Sequence, residues 1–554
     1  MVIISPTDKT KTVIVNDVEQ LRDYYNQHKN DIWIGYNSRM YDQYVLKAIL
    51  CGFNPKKIND WIIVEGKQGW MFSNLLRNYP LNNYDVMTSF HGLKQLEGFM
   101  GNNIKETSVD FNIDRKLTIE EIKETIKYCT HDVEQTIEVF VERKNDFDAH
   151  LSLIKKFKLP INYISKTKAQ LSATILGGVK QSYDDEFDIE FLPCIKLNKY
   201  KAAMDWFKNP LNRNYDKEFE LEVAGVTHKL GWGGIHGAEE KYHGTGLIIH
   251  VDVTSYYPSL MILWNLGSRS ATKWYLFKEI YDERVALKKA GKKKEQAPLK
   301  IVLNGTYGIL KDKNNPLYDP KKANDICING QLLLIDLIEK METIEGFELI
   351  QSNTDGLIVK IPNNQQAFDE LDDICFEWES RTKMGLGFDY IKEIYQKDVN
   401  NYLFVQDDGK IEVKGAYVKE LNNLDYDLPI INKALVEYMI HKTPLEKTIN
   451  ECDVLKDFQK IVKISSKYNH GSHNDKILND KTFRVFASND SNDGMILKHK
   501  TESSKGEKFA NTPENCFIEN NDVNNMKIPN KLNKQWYIDL AIKRLNDFGI
   551  ESGD

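Results

Sequence analysis

LIIHVDVTSYYPSL, residues 247–260, is the stretch on which the fold turns. Its first seven residues are apolar but for His250 and Asp252, the pattern of a short buried strand that ends on an acid. Further along, FELIQSNTDGLIVKI (347–361) has two apolar runs about a polar turn, which reads as a hairpin with Asp355 at its tip. A strand terminus and a tight turn both aim a side chain rigidly. Two carboxylates brought to one point in this way can hold paired Mg²⁺ ions about 4 Å apart. Taken singly, each aspartate reads as a strand-end or turn residue, so the surrounding sequence has to decide.

Working outward, the chain has 554 residues with 41% hydrophobic, 28% charged and 11% aromatic residues, enough to bury the cores of several domains and too much for whole-chain disorder. No apolar run approaches the roughly 20 residues of a bilayer span, and MVIISPTDKT lacks a signal-peptide pattern. The expected location is the cytoplasm, without a membrane partner. The net charge of −7 carries no nucleic-acid signal, so charge has to be read locally. Lys155, Lys156, Lys158, Lys166 and Lys168 form one basic run and Lys288, Lys289, Lys292, Lys293 and Lys294 another; each alone reads as a solvated helix face. Seven cysteines without a CxxC pair indicate neither a disulfide framework nor a zinc ribbon. Cys452, His470 and His473 lack a fourth ligand and sit in a polar loop, which argues against zinc.

Residues 1–40 alternate short β-type runs with a helical stretch at Asp17–Gln27, and 118–146 read as helix, with Thr118 as N-cap and Glu121 completing a capping box. Residues 1–150 therefore read as an α/β unit. The glycine cluster LGWGGIHGA (230–238) reads as a junction between domains, 275–311 as two helices joined by the lysine-rich turn, and 431–441 and 533–547 as further helices.

Short motifs then add up. DVTSYYPSL (252–260) resembles motif A of family-B, polymerase-alpha-like DNA polymerases, DxxSLYPS. The run from Lys300 to Gly308 resembles motif B, KxxxNSxYG; SNTDG (352–356) resembles motif C, YxDTDS; and KGAY (414–417) resembles the KKRY element. The order is the family's order. Upstream, NSRMYD (37–42) resembles the second exonuclease motif, YCTHD (128–132) the third, and GWGG the YxGG element between the two activities. The resemblance covers about residues 30–420 and points to a viral or phage type, short at its N-terminus.

It implies an α/β multidomain architecture: an RNase-H-like 3′–5′ exonuclease domain (1–150, incomplete), a linker and N-terminal part of the polymerase region (151–245), a ferredoxin-like palm (246–272 and 321–425), two-helix fingers (273–320) and a thumb (426–554). It implies template-directed addition of dNTPs to the 3′-OH of primer–template DNA with two Mg²⁺ ions, for which Mn²⁺ can substitute. Asp252 and Asp355 would be the catalytic metal ligands, with the Val253 carbonyl as a further donor. Lys300, Asn304, Tyr307 and Gly308 fall on one helix face. There Lys300 would pair with the triphosphate, and Tyr307 with Gly308 would lie under the nascent base pair. Arg284 and Lys288, four apart, would grip the β- and γ-phosphates. Tyr257 would exclude a 2′-OH, Lys414 and Tyr417 would touch the primer backbone, and Gly233 and Gly234 would contact DNA.

The chain departs from the pattern at Asn353 and Gly356 in motif C, at Gly305 in motif B, and at Gly415 and Ala416 in KGAY. Asn37, Asp42, Tyr128 and Asp132 read as remnants of the proofreading site. Its first motif, DxE on an opening strand, is not found: VIISPTDKTKTVIVN reads as the hairpin that follows that strand, and Asp17-Val18-Glu19 reads as a helix cap. Proofreading is therefore expected to be lost or to depend on a separate N-terminal polypeptide. Two competing functions remain on sequence alone, a polymerase-like DNA-binding scaffold and an exonuclease with a vestigial polymerase half.

Overall fold

The computed structural model describes residues 1–110, 113, 115–502 and 504–551, and they divide into two compact units. Unit 1 combines 1–166, 421–431 and 449–539; unit 2 combines 167–420, 432–448 and 540–554.

In unit 1 the chain opens on an antiparallel hairpin, β1 (Val2–Ile4) and β2 (Lys11–Val13). Helix α1 (Val18–His28) follows, and its N-cap is Asp17, whose carboxylate accepts the Gln20 amide at 2.9 Å. This carboxylate thus serves the helix start, as the capping reading expects. Strand β3 (Trp33–Gly35) leads into α2 (Asp42–Leu50) and pairs in parallel with β4 (Asn83–Asp85). After α3 (Leu93–Met100) comes α4 (Ile119–Glu142), whose capping box is present as read: Thr118 Oγ1 accepts the Glu121 amide at 3.2 Å and Glu121 accepts the Thr118 amide at 2.7 Å. The helix ends at Glu142, short of the expected 146, and a separate helix runs from Lys144 to Lys156.

Unit 2 is built on a nine-stranded antiparallel sheet: β5 (Glu218–Val223), β6 (Val226–Gly231), β7 (His236–Ala238), β8 (Tyr242–Val253), then β9 (Glu348–Asn353), β10 (Gly356–Ile361), β11 (Leu386–Asp398), β12 (Asn401–Gln406) and β13 (Ile411–Lys414). Its spatial order is β13-β12-β11-β8-β10-β9-β7-β6-β5. Residues 230–238 thus lie in adjacent strands of one sheet and not at a junction between the units. The glycines mislead because Gly237 is there for close packing: a Cβ would sit 2.4 Å from the buried His228 ring. Between β8 and β9 run α5 (Tyr256–Leu263), α6 (Tyr275–Lys289), α7 (Lys293–Ile309) and α8 (Pro320–Met341); α9 (Gln365–Thr382) follows β10.

Helix α8 is buried on every side, with only Lys322 and Lys340 outside the buried set. Asp319 caps it and Pro320 occupies its first turn. Asp325, Asn329, Asp336 and Glu339 fall on one stripe at helical spacing, and this stripe takes the place of a neighbouring strand. Asp325 accepts the Glu190 amide at 3.0 Å, Asn329 that of Leu192 at 2.8 Å and Asp336 that of Lys196 at 2.7 Å. Glu339 accepts the Asn198 and Tyr200 amides at 3.0 and 3.1 Å. An otherwise irregular segment is thereby satisfied without a β-ladder. Across the helix, Arg381 of α9 forks onto Asp336 at 2.8 and 3.0 Å.

The C-terminal part of unit 1 adds two small sheets. One holds β14 (Lys460–Lys463), β17 (Thr482–Ala487) and β20 (Cys516–Ile518); the other holds β15 (His470–His473), β16 (Lys476–Leu478), β18 (Ile496–His499) and β19 (Glu507–Lys508). His470 stacks on His499 at 4.5 Å, and His473 is hydrogen-bonded to the Cys516 carbonyl. The helices expected at 431–441 and 533–547 run Pro429–His441 and Lys534–Asn546.

Arg484 of β17 is fully buried, and burial pulls its guanidinium down to about 10. It donates to Gln459 Oε1 and to the carbonyls of Gly98, Asn102, Glu519 and Asn521, at 2.6–3.2 Å, knitting α3 to β17 and to the 519–521 loop. Arg484→Met leaves those acceptors buried without a donor, a cost of about 3–5 kcal/mol. The denaturant midpoint of unit 1 should fall accordingly, and Arg484→Lys should recover only part of it because one ammonium cannot reach the five acceptors.

Candidate active site

Register brings the two aspartates together. Asp252 of β8 lies opposite Gly356 of β10 on one side and Gly387 of β11 on the other, so the strands flanking its carboxylate carry no side chain on that rung. Asn353 pairs with Gly356, which leaves Thr354 and Asp355 as the two-residue tip of the β9–β10 hairpin. The tip is clamped to β8, since the Val253 amide donates to the Asp355 carbonyl at 2.9 Å, while the Thr254 amide donates to that of Gly385 at 2.9 Å. Asp252 is pushed up to about 6, first by burial and then by the Asp355 charge; Asp389 and Glu412 push the same way and His250 opposes them.

The chain leaves β8 through Ser255 in the left-handed region (φ 50°) and enters α5, which separates two neighbouring tyrosines. Tyr256 is 3% exposed and donates to the Gly330 carbonyl of α8 at 2.6 Å. Tyr257 lies against Tyr307 of α7, ring centroids 4.4 Å apart at 50°. Burial raises both hydroxyls far above the normal tyrosine range. Gly330 of α8 packs against both tyrosines: a Cβ there would stand 3.4 Å from each of the rings of Tyr256 and Tyr257, an ordinary contact. On α7, Lys300, Asn304 and Gly308 are exposed, with Tyr307 half-buried beside them. Arg284 ties α6 to α7 through Gln296 at 3.1 Å, and Lys288 is exposed. Among the described residues none of these cations is paired with Asp252 or Asp355.

The GWGG loop is fixed from α8: Gln331 donates to the Gly231 and Gly233 carbonyls at 2.8 and 2.9 Å and accepts the Gly231 amide at 3.2 Å, and the Cys327 thiol also reaches the Gly233 carbonyl. Gly234 abuts the motif C turn, where a Cβ would stand 3.0 Å from Thr354 Oγ1, while the Cβ direction of Gly233 is open. Lys414 lies 5.8 Å from the Tyr402 ring, and Tyr417 donates to Asp547 at 3.0 Å with Lys397 and Arg544 over its ring. The departure at Gly415 has a local cause. Its φ is 91°, and a Cβ would fall 2.2 Å from the Asn400 carbonyl, so a basic side chain does not fit.

In unit 1, Asp42 opens α2 and is pushed up to about 6 by desolvation, with Asp85 and Asp132 adding to the push. Asp85, which sequence reading misses, accepts the Asn37, Arg39 and Met87 amides at 2.9 Å and so holds the loop that carries Asn37. Asp132 is met by Lys94 at 2.5 Å; the same ammonium reaches the fully buried Glu97 at 2.9 Å and lies 4.8 Å from the Tyr128 ring. Also missed near Asp252 are His250, Asp389 and Glu412. His250 was within reach of the sequence, two positions before Asp252 and hence on the same strand face. Asp389 was not, because its place depends on the β8–β11 register.

A raised carboxyl is protonated more in the folded than in the unfolded chain, so it lowers stability as pH climbs from about 4 to about 6 and keeps it lowered above that. Asp252→Asn removes the penalty. Without divalent ions the variant should melt higher than the parent at pH 7.5, by about 2 °C or more, with the difference gone near pH 4. Thermal unfolding in EDTA across that range checks the sign.

Comparison with family models gives no match. The chain is 26% identical to DNA polymerase 1 of Sulfurisphaera ohwakuensis over 200 residues, 35% of this chain and 21% of that protein. It is 26% identical to DNA polymerase 1 of Sulfolobus acidocaldarius over 194 residues, again 35% and 21%, and 27% identical to that of Saccharolobus solfataricus over 141 residues, 25% and 15%. The chain thus spans about a fifth of the length of the first two relatives. Among solved structures, the family B DNA polymerase of Pyrobaculum calidifontis aligns over 98% of this chain and 74% of that one, at 13% identity and a TM-score of 0.43. By sequence, then, this chain is similar to archaeal DNA polymerases over about a third of its length.

Proposed function

We propose that the protein is a template-directed DNA polymerase of the family-B type that adds dNTPs to a primer 3′-OH. In this reading the nine-stranded sheet holds the palm, α6 and α7 are the fingers, and 426–554 supply the thumb. One observation carries it: Asp252, flanked by two glycines, stands beside the Asp355 turn in a site whose carboxyl charges repel one another. Such a site is short of positive charge, and its oxygen-only donors suit a hard divalent cation. Asp252, Asp355 and the Val253 carbonyl would hold two Mg²⁺ ions, which when bound activate the attacking hydroxyl and offset charge on the α-phosphate.

The other residues bind and orient. Lys300, Arg284 and Lys288 neutralise the triphosphate from the α6–α7 hairpin. Asn304 shares the exposed face of α7 with Lys300, and Tyr307 and Gly308 support the nascent base pair, with open space over Gly308 for close approach. Tyr257, held by Tyr307 and α8, bounds the sugar, whereas the hydroxyl of Tyr256 is already engaged by Gly330. Lys414 and Tyr417 contact the primer backbone, and the pinned Gly233–Gly234 backbone gives DNA a close approach beside the motif C turn. Primer extension with Mg²⁺ and dNTPs tests the whole. Asp252→Asn and Asp355→Asn should each cut extension by about three orders of magnitude or more while DNA binding stays near the parent's. Near-parental extension by either would remove the assignment.

We infer further that proofreading is absent from this polypeptide. Asp132 already has its cation in Lys94, Asp42 has Asp85 and Asp132 as acidic neighbours, and Asp17 caps a helix. A 3′-labelled single-stranded oligonucleotide should persist in Mg²⁺ or Mn²⁺. Degradation abolished by Asp42→Ala would show that the exonuclease site is complete.

A further inference from the structure

His250 sits two rungs below Asp252 on the same face of β8, opposite Ile358 of β10 and Asp389 of β11. Its side chain is 19% exposed, with the ring 5.8 Å from Phe404. On one edge Nδ1 is 3.6 Å from Asp389 Oδ2, an ion-pair distance that leaves this buried nitrogen without a hydrogen bond. The other edge points at the motif C turn. A Cβ placed on Gly356 would stand 3.1 Å from His250 Nε2, 3.0 Å from the Val251 carbonyl and 3.5 Å from the Asp252 Cα. The imidazole therefore stands close to the room that a side chain at position 356 needs. In the pattern that motif C resembles, that position is a serine. The glycine here and the histidine on the next strand fit each other.

We propose that His250 is a positioning residue for the carboxylate pair. Its ring replaces, from β8, the polar side chain that motif C lacks, and holds the end of β8 at a fixed distance from the Asp355 turn. The inference rests on the polymerase reading for its consequence, not for its geometry. Removing the ring leaves a gap beside Gly356 on the face that carries Asp252 and loosens the separation of Asp252 and Asp355. Adding a side chain at 356 drives the ring or the Val251 carbonyl away, and the carbonyl cannot move without the strand that carries Asp252.

The test is a double-mutant cycle of the parent, His250→Ala, Gly356→Ser and the double variant, with His250→Gln as the conservative replacement. Two readouts are used: Mn²⁺ binding by electron paramagnetic resonance without DNA, and primer extension. His250→Ala should weaken Mn²⁺ binding by about tenfold and lower kcat with little change in the KM for dNTP, as loss of an outer support does. His250→Gln, whose amide reaches the same place, should recover most of both. Gly356→Ser should be worse in the parent than in combination with His250→Ala, where the serine has room. Parent-like Mn²⁺ binding by His250→Ala, or equal harm from Gly356→Ser with and without the histidine, overturns the proposal. Should His250→Ala fail to fold, His250→Gln with and without Gly356→Ser gives the same comparison. A parent that binds Mn²⁺ through Asp252 yet extends no primer would sink the polymerase reading, and the Mn²⁺ arms would still judge His250.

Discussion

The acceptance of backbone amides by one buried helix face is the constraint on which unit 2 depends. Helix α8 places Asp325, Asn329, Asp336 and Glu339 along the segment 190–200, and each carboxylate or amide oxygen takes a backbone amide, those of Leu192 and Tyr200 in buried positions. A buried unsatisfied amide costs more than its hydrogen bond returns, so Asn329 and Glu339 are far less replaceable than the leucines and isoleucines around them. The same helix supplies the Gly330 carbonyl to Tyr256, Gln331 and Cys327 to the GWGG loop, and Asp336 to Arg381. Its rigidity is passed directly to the tyrosine pair and to the loop beside the motif C turn.

Seen from that post, the departures from the motif pattern sort by cause. Gly415 is required by a positive φ and by the Asn400 carbonyl. Gly356 lies opposite Asp252, where a Cβ would crowd the Val251 carbonyl and the His250 ring. Asn353 pairs with Gly356 at the base of the hairpin, where an uncharged side chain adds no further repulsion to the Asp252–Asp355 pair. For Gly305, whose Cβ direction is nearly open, the structure offers no explanation.

Unit 1 mixes two arrangements. Its Asp42 carboxyl is pushed up by burial and by Asp85 and Asp132, as Asp252 is in unit 2, yet the unit also supplies its own cations: Lys94 between Asp132 and Glu97, and the fully buried Arg484 among backbone carbonyls. A carboxylate that is already paired offers less to an incoming metal, because the lysine has to be displaced first. The two acidic sites thus share a raised aspartate and differ in that Lys94 partners Asp132.

The sequence by itself determined the local elements and the identity of the acids. Periodicity and capping chemistry are local, so the α4 capping box, the Asp17 cap, the α6–α7 pair and the hairpin that carries Asp355 were legible in strings of ten to twenty residues. Asp252 and Asp355 stood out because motifs fix residue types at fixed spacing. Only the tertiary structure decided which rungs face each other. Asp389 and Glu412 join Asp252 through the β8–β11–β12–β13 register, Lys94 meets Asp132 across two helices, and 230–238 became strands of one sheet although its glycines look like a linker. Register and side-chain pairing depend on contacts between residues tens to hundreds of positions apart, and no periodicity within a segment encodes the partner it will find.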